Sequence, residues 1–365
     1  MTDALALAQA LVRLDTAGPA PQERAAVDLL APLLEAAGFG VAVHDMAPGR
    51  PSMVAVHAGA GGDPLVLSGH LDTVPLGAVR WRRPPLSGTV AGGRLHGRGS
   101  TDMKAGVAAI VTAALAHAAA GGRRPIALVL TAGEETGCLG AAHLARLGAL
   151  PRASGIVVAE PTGNRVGIGH RGALWLEAAY AGVGAHGATP HLGRNAVYAA
   201  ADGIVLCRDQ TFDDMDDPLL GSVTLNVGTV RGGLNVNSVP DAAAFTIDLR
   251  STVPGSHAGL RRHFADLLGP DARLATLLDL PAVRTPADSA LVRASLDAVA
   301  GAGVAEVPPR ALPFFTDASV LVEACGAEAV ILGPGDPALA HQTDETCAVD
   351  EIAAAVAIYG RLLAR

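Results

Sequence analysis

The run LVLSGHLDTVP, Leu65 to Pro75, is an apolar stretch of strand length that stops at a histidine and an aspartate, His70 and Asp72. Residues two apart on an extended chain share a face. Asp72 can therefore accept the proton of one His70 nitrogen, fix the tautomer and leave the other nitrogen free for a metal ion. Alone, the pair is better explained as polar residues meeting solvent at a strand end. Asp102, Glu135, Glu160 and His341 change the balance. Each has an ordinary account, as a helix cap, a solvated acidic turn, a strand-end charge or a loop histidine. Together they offer more imidazole and carboxylate donors than one catalytic zinc takes, which is usually three plus water. Two ions resolve the count if Asp102 bridges, with His70 and Glu160 on one ion and Glu135 and His341 on the other. Nitrogen and oxygen donors without thiolate favour zinc, with cobalt or manganese as substitutes. Neighbouring side chains in a turn diverge, so one of Glu134 and Glu135 is left over. A spare carboxylate beside a metal-activated water can take its proton and return it to a leaving nitrogen. The predicted chemistry is metal-assisted hydrolysis of an amide.

These residues need a scaffold that makes them converge. Apolar residues at helical spacing predict helices over Ala4 to Leu14 and Arg24 to Ala37, the second closed by Gly38. Short strands follow near Val41 to Val43, Met53 to His57 and Leu65 to Ser68. Leu76 to Gly99, rich in Pro, Gly and Arg, reads as an irregular loop. A small-residue helix over Ala105 to Ala120, a strand over Ile126 to Thr131, a helix over Ala141 to Leu147 and a strand over Gly155 to Ala159 complete an α/β layer. Asp72, Glu134, Glu135 and Glu160 all fall just past predicted strand ends, where open α/β sheets bind ligands. Beyond Arg165 the texture changes. Strands over Leu174 to Ala181, Ser222 to Val230 and Ala242 to Arg250, with helices over Asn195 to Leu206 and His257 to Leu268, predict a separate α+β unit. The expected organisation is thus a first domain of residues 1–168 and 284–365 interrupted by an inserted domain at 169–283. The first domain resumes with a helix over Ser289 to Ala300, a strand over Ala329 to Leu332 and a final helix over Ile352 to Leu363, and His341 lies in the loop before that last helix.

Composition narrows the partners. Half the residues are hydrophobic and only 3% aromatic, so the core must be built from Ala, Leu and Val. The most apolar window, Gly106 to Ala120, is interrupted by His117 and falls short of the ~20 residues a membrane span needs. A net charge of −8 disfavours nucleic acid. Cys138, Cys207, Cys325 and Cys347 lack paired spacing and fit reduced thiols better than disulfides. With no secretory signal evident, a cytoplasmic location is expected. A thiol-based redox sensor at Cys138 lacks a partner cysteine nearby in sequence.

The motifs SGHLDTVP, GRGSTDMKAG, TAGEETG, VVAEPT and GPGDPALAHQTDE, in this order, resemble those of the di-zinc aminoacylase and carboxypeptidase family. That family includes acetylornithine deacetylase, succinyl-diaminopimelate desuccinylase and the glutamate carboxypeptidases. The resemblance implies a mixed-sheet zinc-hydrolase catalytic domain with helices on both faces and an inserted α+β lid that dimerises. It implies His70, Asp102, Glu135, Glu160 and His341 as ligands of two zinc ions, Asp72 as the residue orienting His70, and Glu134 as general base. It further implies that His186, in GVGAHGATPH, reaches a partner's active site to stabilise the oxyanion, and that Asn237 and Arg250 hold the substrate carboxylate. Glu at position 160 and the GPG…AHQTDE tail resemble the deacylase branch. The implied substrate is an N-acyl amino acid, as for acetylornithine deacetylase, with a desuccinylase or carboxypeptidase as the alternative. A catalytically inactive metal-binding relative is the reading from another class, and an intact Glu134 speaks against it.

Overall fold

The computed structural model describes residues 3–17, 22–305 and 307–365, and divides into two compact units. The first comprises Met1–Gly169, Arg284–Arg310 and Thr316–Arg365; the second comprises His170–Val283 with Ala311–Phe315. The short returning segment Ala311–Phe315 lies outside the 169–283 stretch expected for the insert.

The first unit is organised by a mixed sheet. Its strands run in the order Gly40–Asp45, Pro51–His57, Ile126–Thr131, Leu65–His70, Gly155–Val158, Ala329–Ile331, Gly167–His170. Leu65–His70 is paired in parallel with Ile126–Thr131 on one side and with Gly155–Val158 on the other. All three strands are buried at every position, as expected of parallel strands covered on both faces, which explains their unbroken apolar runs. The chain leaves Leu65–His70 to form one neighbour and crosses back over it to form the other. That reversal opens a crevice at the carboxyl ends of these strands. His70 and Thr131 share a register position at that edge.

The helices form two separate packing groups. Ala4–Val12, Lys104–Ala119, Ala290–Gly301 and Val349–Leu363 pack on one another, while Arg24–Ala36, Leu139–Arg146 and Ala318–Cys325 pack against the strands or each other. The expected mixed α/β fold, with a mixed sheet and helices, is therefore present. Lys104–Ala119 is buried continuously from Lys104 to Ala114, so its small residues reflect enclosure rather than an amphipathic surface. Gly106 is required there: a Cβ would stand 2.1 Å from the Ala159 carbonyl oxygen. This approach brings the helix start, just after Asp102, against the strand end that carries Glu160.

Leu76 to Gly99 is more ordered than its composition predicts. Thr89–Ala91 and Arg94–His96 form a hairpin, extended to three strands by Thr346–Ala348. Its turn residues, Gly92 and Gly93, both take positive φ.

The second unit is a four-stranded antiparallel sheet, ordered Thr224–Gly232, Ala242–Arg250, Ala173–Ala181, Ala272–Leu280, with Ala196–Arg208 and His257–Leu268 packed on it. Alternation in Ala173–Ala181 puts Leu174, Leu176 and Ala178 into a core with Phe245, Ile247, Leu249 and Phe264. Ala272–Leu280 escaped the sequence reading because, as an edge strand, it is largely exposed and its apolar alternation is weak.

Candidate metal centre

His70 ends its strand and is 1% exposed. Its Nδ1 lies 3.0 Å from the backbone carbonyl of Asp72 and 3.6 Å from that residue's Oδ1. The tautomer is thus fixed as expected, but the carbonyl accepts the proton rather than the carboxylate. Asp72 uses its carboxylate elsewhere: Oδ1 accepts from the Glu134 N–H at 3.1 Å and Oδ2 from the Glu135 N–H at 3.2 Å. One residue therefore orients the histidine through its main chain and anchors the acidic turn through its side chain.

Asp102 stands between the two histidines. Its Oδ1 is 3.0 Å from His70 Nε2 and its Oδ2 is 3.3 Å from His341 Nε2. His341 Nε2 also lies 3.0 Å from Glu135 Oε2, and His70 Nε2 lies 3.7 Å from Glu160 Oε1. Ligand atoms of His70, Asp102 and Glu135 fall within 4.8 Å of one another, as do those of His70, Glu134 and Glu160. All the residues predicted to surround the metals converge, and they belong to the first unit. The grouping differs from the expected division in that Glu134 sits as close to the His70 and Glu160 donors as a ligand would.

The electrostatics follow from crowding. Burial and neighbouring carboxylates raise Glu134, Glu135 and Glu160 above the ordinary carboxylate range. Burial also works against a charged His70, yet Glu160 and Asp102 raise it well above the usual histidine value. Asp102 is buried too, but hydrogen bonds from His341 and His70 hold its carboxyl down. Hydrogen bonds to Asp102 and Glu135 raise His341 to about 10. A cluster of buried carboxylates facing two imidazoles is an anionic site that divalent cations would neutralise, and the donors are those such cations take.

Sequence reasoning missed several residues that shape this centre. Glu345 accepts from the N–H groups of Gly99, Thr101 and Asp102 and from Arg98. Asp317 accepts from the Thr131 hydroxyl at 2.5 Å, and the Cys138 thiol lies 3.8 Å from Glu134 Oε1. Arg98 and Glu345 stand in the motifs GRGSTDMKAG and GPGDPALAHQTDE, but a motif letter does not say what a side chain touches.

The remaining candidates belong to the second unit. His186 and Asn237 are exposed and adjacent, with His186 bridged to Ser238 and the Gly187 N–H donating to the Asn237 carbonyl at 2.7 Å. Arg250 is at the other end of Ala242–Arg250, a strand length of roughly 25 Å away. The expectation that Asn237 assists Arg250 is therefore not met within one chain. Arg250 instead pairs with Asp248, Nε to Oδ1 at 3.0 Å, and lies over the Phe315 ring.

The second unit also contains a serine, histidine and aspartate in triad order. Ser251 Oγ is 2.7 Å from His257 Nε2, and His257 Nδ1 is 2.5 Å from Asp279 Oδ1. Ser251 is fully buried and its hydroxyl fills the space a side chain at Gly172 would need, so no substrate carbonyl can reach it.

Among known proteins, residues 66–365 match the family model described as peptidase family M20/M25/M40. An acetylornithine deacetylase from Myxococcus xanthus is 31% identical, with 97% of this chain and 95% of that protein covered. A succinyl-diaminopimelate desuccinylase from Methylobacterium sp. (strain 4-46) is 33% identical, covering 98% and 95%. Among solved structures, an M20 family metallo-carboxypeptidase from Sulfolobus solfataricus superposes with a TM-score of 0.82 at 18% identity, covering 100% of this chain and 99% of that one. A dinuclear metal binding peptidase of the M20 family from Bacillus subtilis gives 0.74 at 15% identity, covering 99% and 96%. With a match spanning most of its length and relatives aligned almost end to end, the chain belongs to peptidase family M20/M25/M40.

Proposed function

We propose that this protein is a two-metal amidohydrolase that cleaves the amide of an N-acyl amino acid, releasing a carboxylate and a free amino acid. The observation that carries the reading is the disposition of Asp102, one oxygen towards His70 and the other towards His341. His70 and Glu160 would hold one ion, Glu135 and His341 the other, and Asp102 both. Zinc suits the nitrogen and oxygen donors, and cobalt or manganese could replace it. Bound there, two divalent ions supply Lewis-acid polarisation of the scissile carbonyl and make water a better nucleophile at neutral pH.

The chain's own groups supply the rest. Glu134, held by its N–H to Asp72 and 5% exposed, takes the proton of the attacking water and delivers it to the leaving nitrogen. Its raised affinity for protons suits a group that must both accept and return one. Asp248 occupies the Nε side of Arg250, which leaves the Nη1–Nη2 edge to take the substrate carboxylate as a fork. His186 donates to the developing oxyanion, and Asn237 beside it contacts the substrate.

His186 and Asn237 would act in the site of a second copy. The second unit offers a surface for such pairing: Thr224–Gly232 is an edge strand, and Tyr198, Val230, Leu234 and Val236 are 71%, 64%, 90% and 104% exposed. A homodimer through this unit is the corresponding assembly. Four buried free thiols suit a reducing cytoplasm.

Two relatives of similar identity carry different names, so the acyl group is the part to test directly. N-acetyl, N-succinyl and N-acyl-aromatic amino acids should be assayed with zinc or cobalt added. Release of free amine from one class, lost with chelator and restored by metal, is expected. Failure to hydrolyse any of them with two metal equivalents bound would overturn the reading.

A further inference from the structure

Beside Asp102 and His341 lies a buried ion pair whose side chains are not among the grouped ligand donors. Arg98 is 2% exposed and Glu345 1%, and Arg98 Nη1 donates to Glu345 Oε2 at 2.7 Å. Glu345 Oε2 also accepts from the Gly99 N–H at 3.0 Å. Oε1 accepts from the N–H groups of Thr101 and Asp102, at 2.8 and 3.0 Å. Backbone N–H groups turned towards one point form an anion cradle. Here the anion is the chain's own side chain, and the last N–H in it belongs to the residue proposed to bridge the metals.

Arg98 reaches the other way. Its Nη1 donates to the Gln342 carbonyl at 3.2 Å, and its Nη2 to the carbonyls of Pro75 and His341 at 3.2 and 3.5 Å. Trp81 lies under the guanidinium at 5.1 Å and donates to the Leu76 carbonyl. The pair therefore joins three segments: the one following His70 and Asp72, the one ending in Asp102, and the loop carrying His341. That loop needs holding. His341 has φ 63°, in the left-handed region, which histidine visits more often than most residues but at a cost its surroundings must offset.

We infer that Arg98 and Glu345 are positioning residues that set the separation of Asp102 from His341, and so the geometry of the metal position those two share with Glu135. Removing either partner leaves Asp102 still held on the His70 side by His70 Nε2 at 3.0 Å, with His70 itself fixed by its strand and by Asp72, whereas the loop carrying His341 loses its hold. The loss should be selective. A pair that merely filled space would lower stability without distinguishing one metal from the other.

This role rests on the two-metal reading, and one titration separates the two. Zinc is titrated calorimetrically into the chelator-stripped full-length chain, with circular dichroism as a fold control. Wild type should take two equivalents; fewer would overturn the two-metal reading, and this role with it. Glu345→Gln keeps the shape but turns an amide donor on Arg98 or the Gly99 N–H. It should lose about 10–100-fold in affinity for one equivalent and less than about threefold for the other, the scale seen when groups supporting metal ligands are removed. Against a hydrolysed substrate, kcat should fall with KM little changed. Glu345→Asp and Arg98→Lys retain the charges but shorten the reach or remove the fork, and they carry the test if Glu345→Gln does not fold. Both should show the same selective loss. Wild-type affinity for both equivalents in these variants, with only thermal stability reduced, would make the pair purely structural and overturn the inference.

Discussion

Glu134 and Glu135 are adjacent, both anchored by Asp72, and proposed to do different work. Replacing each by glutamine separates the roles. Glutamine in place of Glu134 keeps its size, its N–H bond to Asp72 and an acceptor for the Cys138 thiol, but its amide cannot take a proton from water. A positioned acid-base group is worth about 10²–10⁴ in rate, so kcat should fall by that scale, about 3–5 kcal/mol in barrier, with metal content unchanged. Glutamine in place of Glu135 removes a charge that lies 3.0 Å from His341 Nε2 and within reach of Asp102. Its first effect should be on affinity: one metal equivalent should weaken at least about tenfold, since even groups outside the ligand sphere cost that much. Metal analysis after dialysis and steady-state kinetics at saturating zinc distinguish the outcomes. Glu134 stands within 4.8 Å of the His70 and Glu160 donors, so the opposite assignment is geometrically open. If Glu134→Gln loses a metal while Glu135→Gln keeps both and loses only turnover, the roles are reversed. Near-normal turnover in Glu134→Gln would refute a proton-transfer role for it.

Three further outcomes follow from single observations. Arg250→Lys keeps the charge but not the fork, and the loss of a charge-assisted hydrogen bond, about 1.5–3 kcal/mol, should lower kcat/KM one to two decades for an acyl amino acid. The corresponding amino-acid amide should be a poor substrate that the mutation barely affects, and equal hydrolysis of acid and amide by wild type would exclude a carboxylate anchor. His186→Ala should lower kcat about 10²–10³-fold, and mixing it with Glu134→Gln under subunit exchange should restore activity if His186 acts in a partner's site; no recovery after demonstrated exchange would count against that. His170 is fully buried with Nε2 unpartnered, and burial pushes its pKa down to about 4. The unfolded chain, with a histidine near pH 6.5, binds the proton first, so stability present above that pH is lost as pH falls towards 4 and the loss levels off below it. The loss should reach about 3 kcal/mol, and His170→Asn, which can still donate to the Arg171 carbonyl, should flatten this part of the pH dependence of Tm.

How much of the site could be read from sequence depended on what each residue's role requires. His70, Glu134, Glu135 and Glu160 were legible because they interrupt or follow apolar runs, and the parallel order of the strands makes such ends meet. Asp102 and His341 were legible only jointly, since each alone passes for a cap or a loop residue. The division of labour in Asp72 was not legible: spacing brings its side chain to the face of His70, but the turn at Glu134 and Glu135 competes for the carboxylate and captures it. Glu345 was hidden for a related reason. Its partners are backbone N–H groups more than two hundred residues away, and no pattern of side-chain types announces them. In the second unit three strands and two helices follow from alternation and helical spacing, whereas Ala272–Leu280 does not, because an exposed edge strand has little apolar contrast to show.

The separation of Asn237 from Arg250 bears on assembly more directly than any exposed patch does. Both are proposed to contact one small substrate, yet within a chain Arg250 ends a nine-residue strand hydrogen-bonded on both sides and Asn237 lies beyond its other end. Shortening that distance inside the unit would mean breaking the sheet, and bending a paired central strand by tens of ångströms is not a loop motion. Two groups that far apart on a rigid element can meet around one ligand only if they come from different copies. His186 shares the Asn237 end and is subject to the same argument. A monomer would then lack either the Arg250 anchor or the His186 and Asn237 end. On that reasoning, dilution below the dimer's dissociation constant should lower kcat/KM at least as far as Arg250→Lys or His186→Ala does, while leaving metal content intact. A monomeric form with full turnover would mean that Arg250 and the His186–Asn237 end do not serve one substrate together.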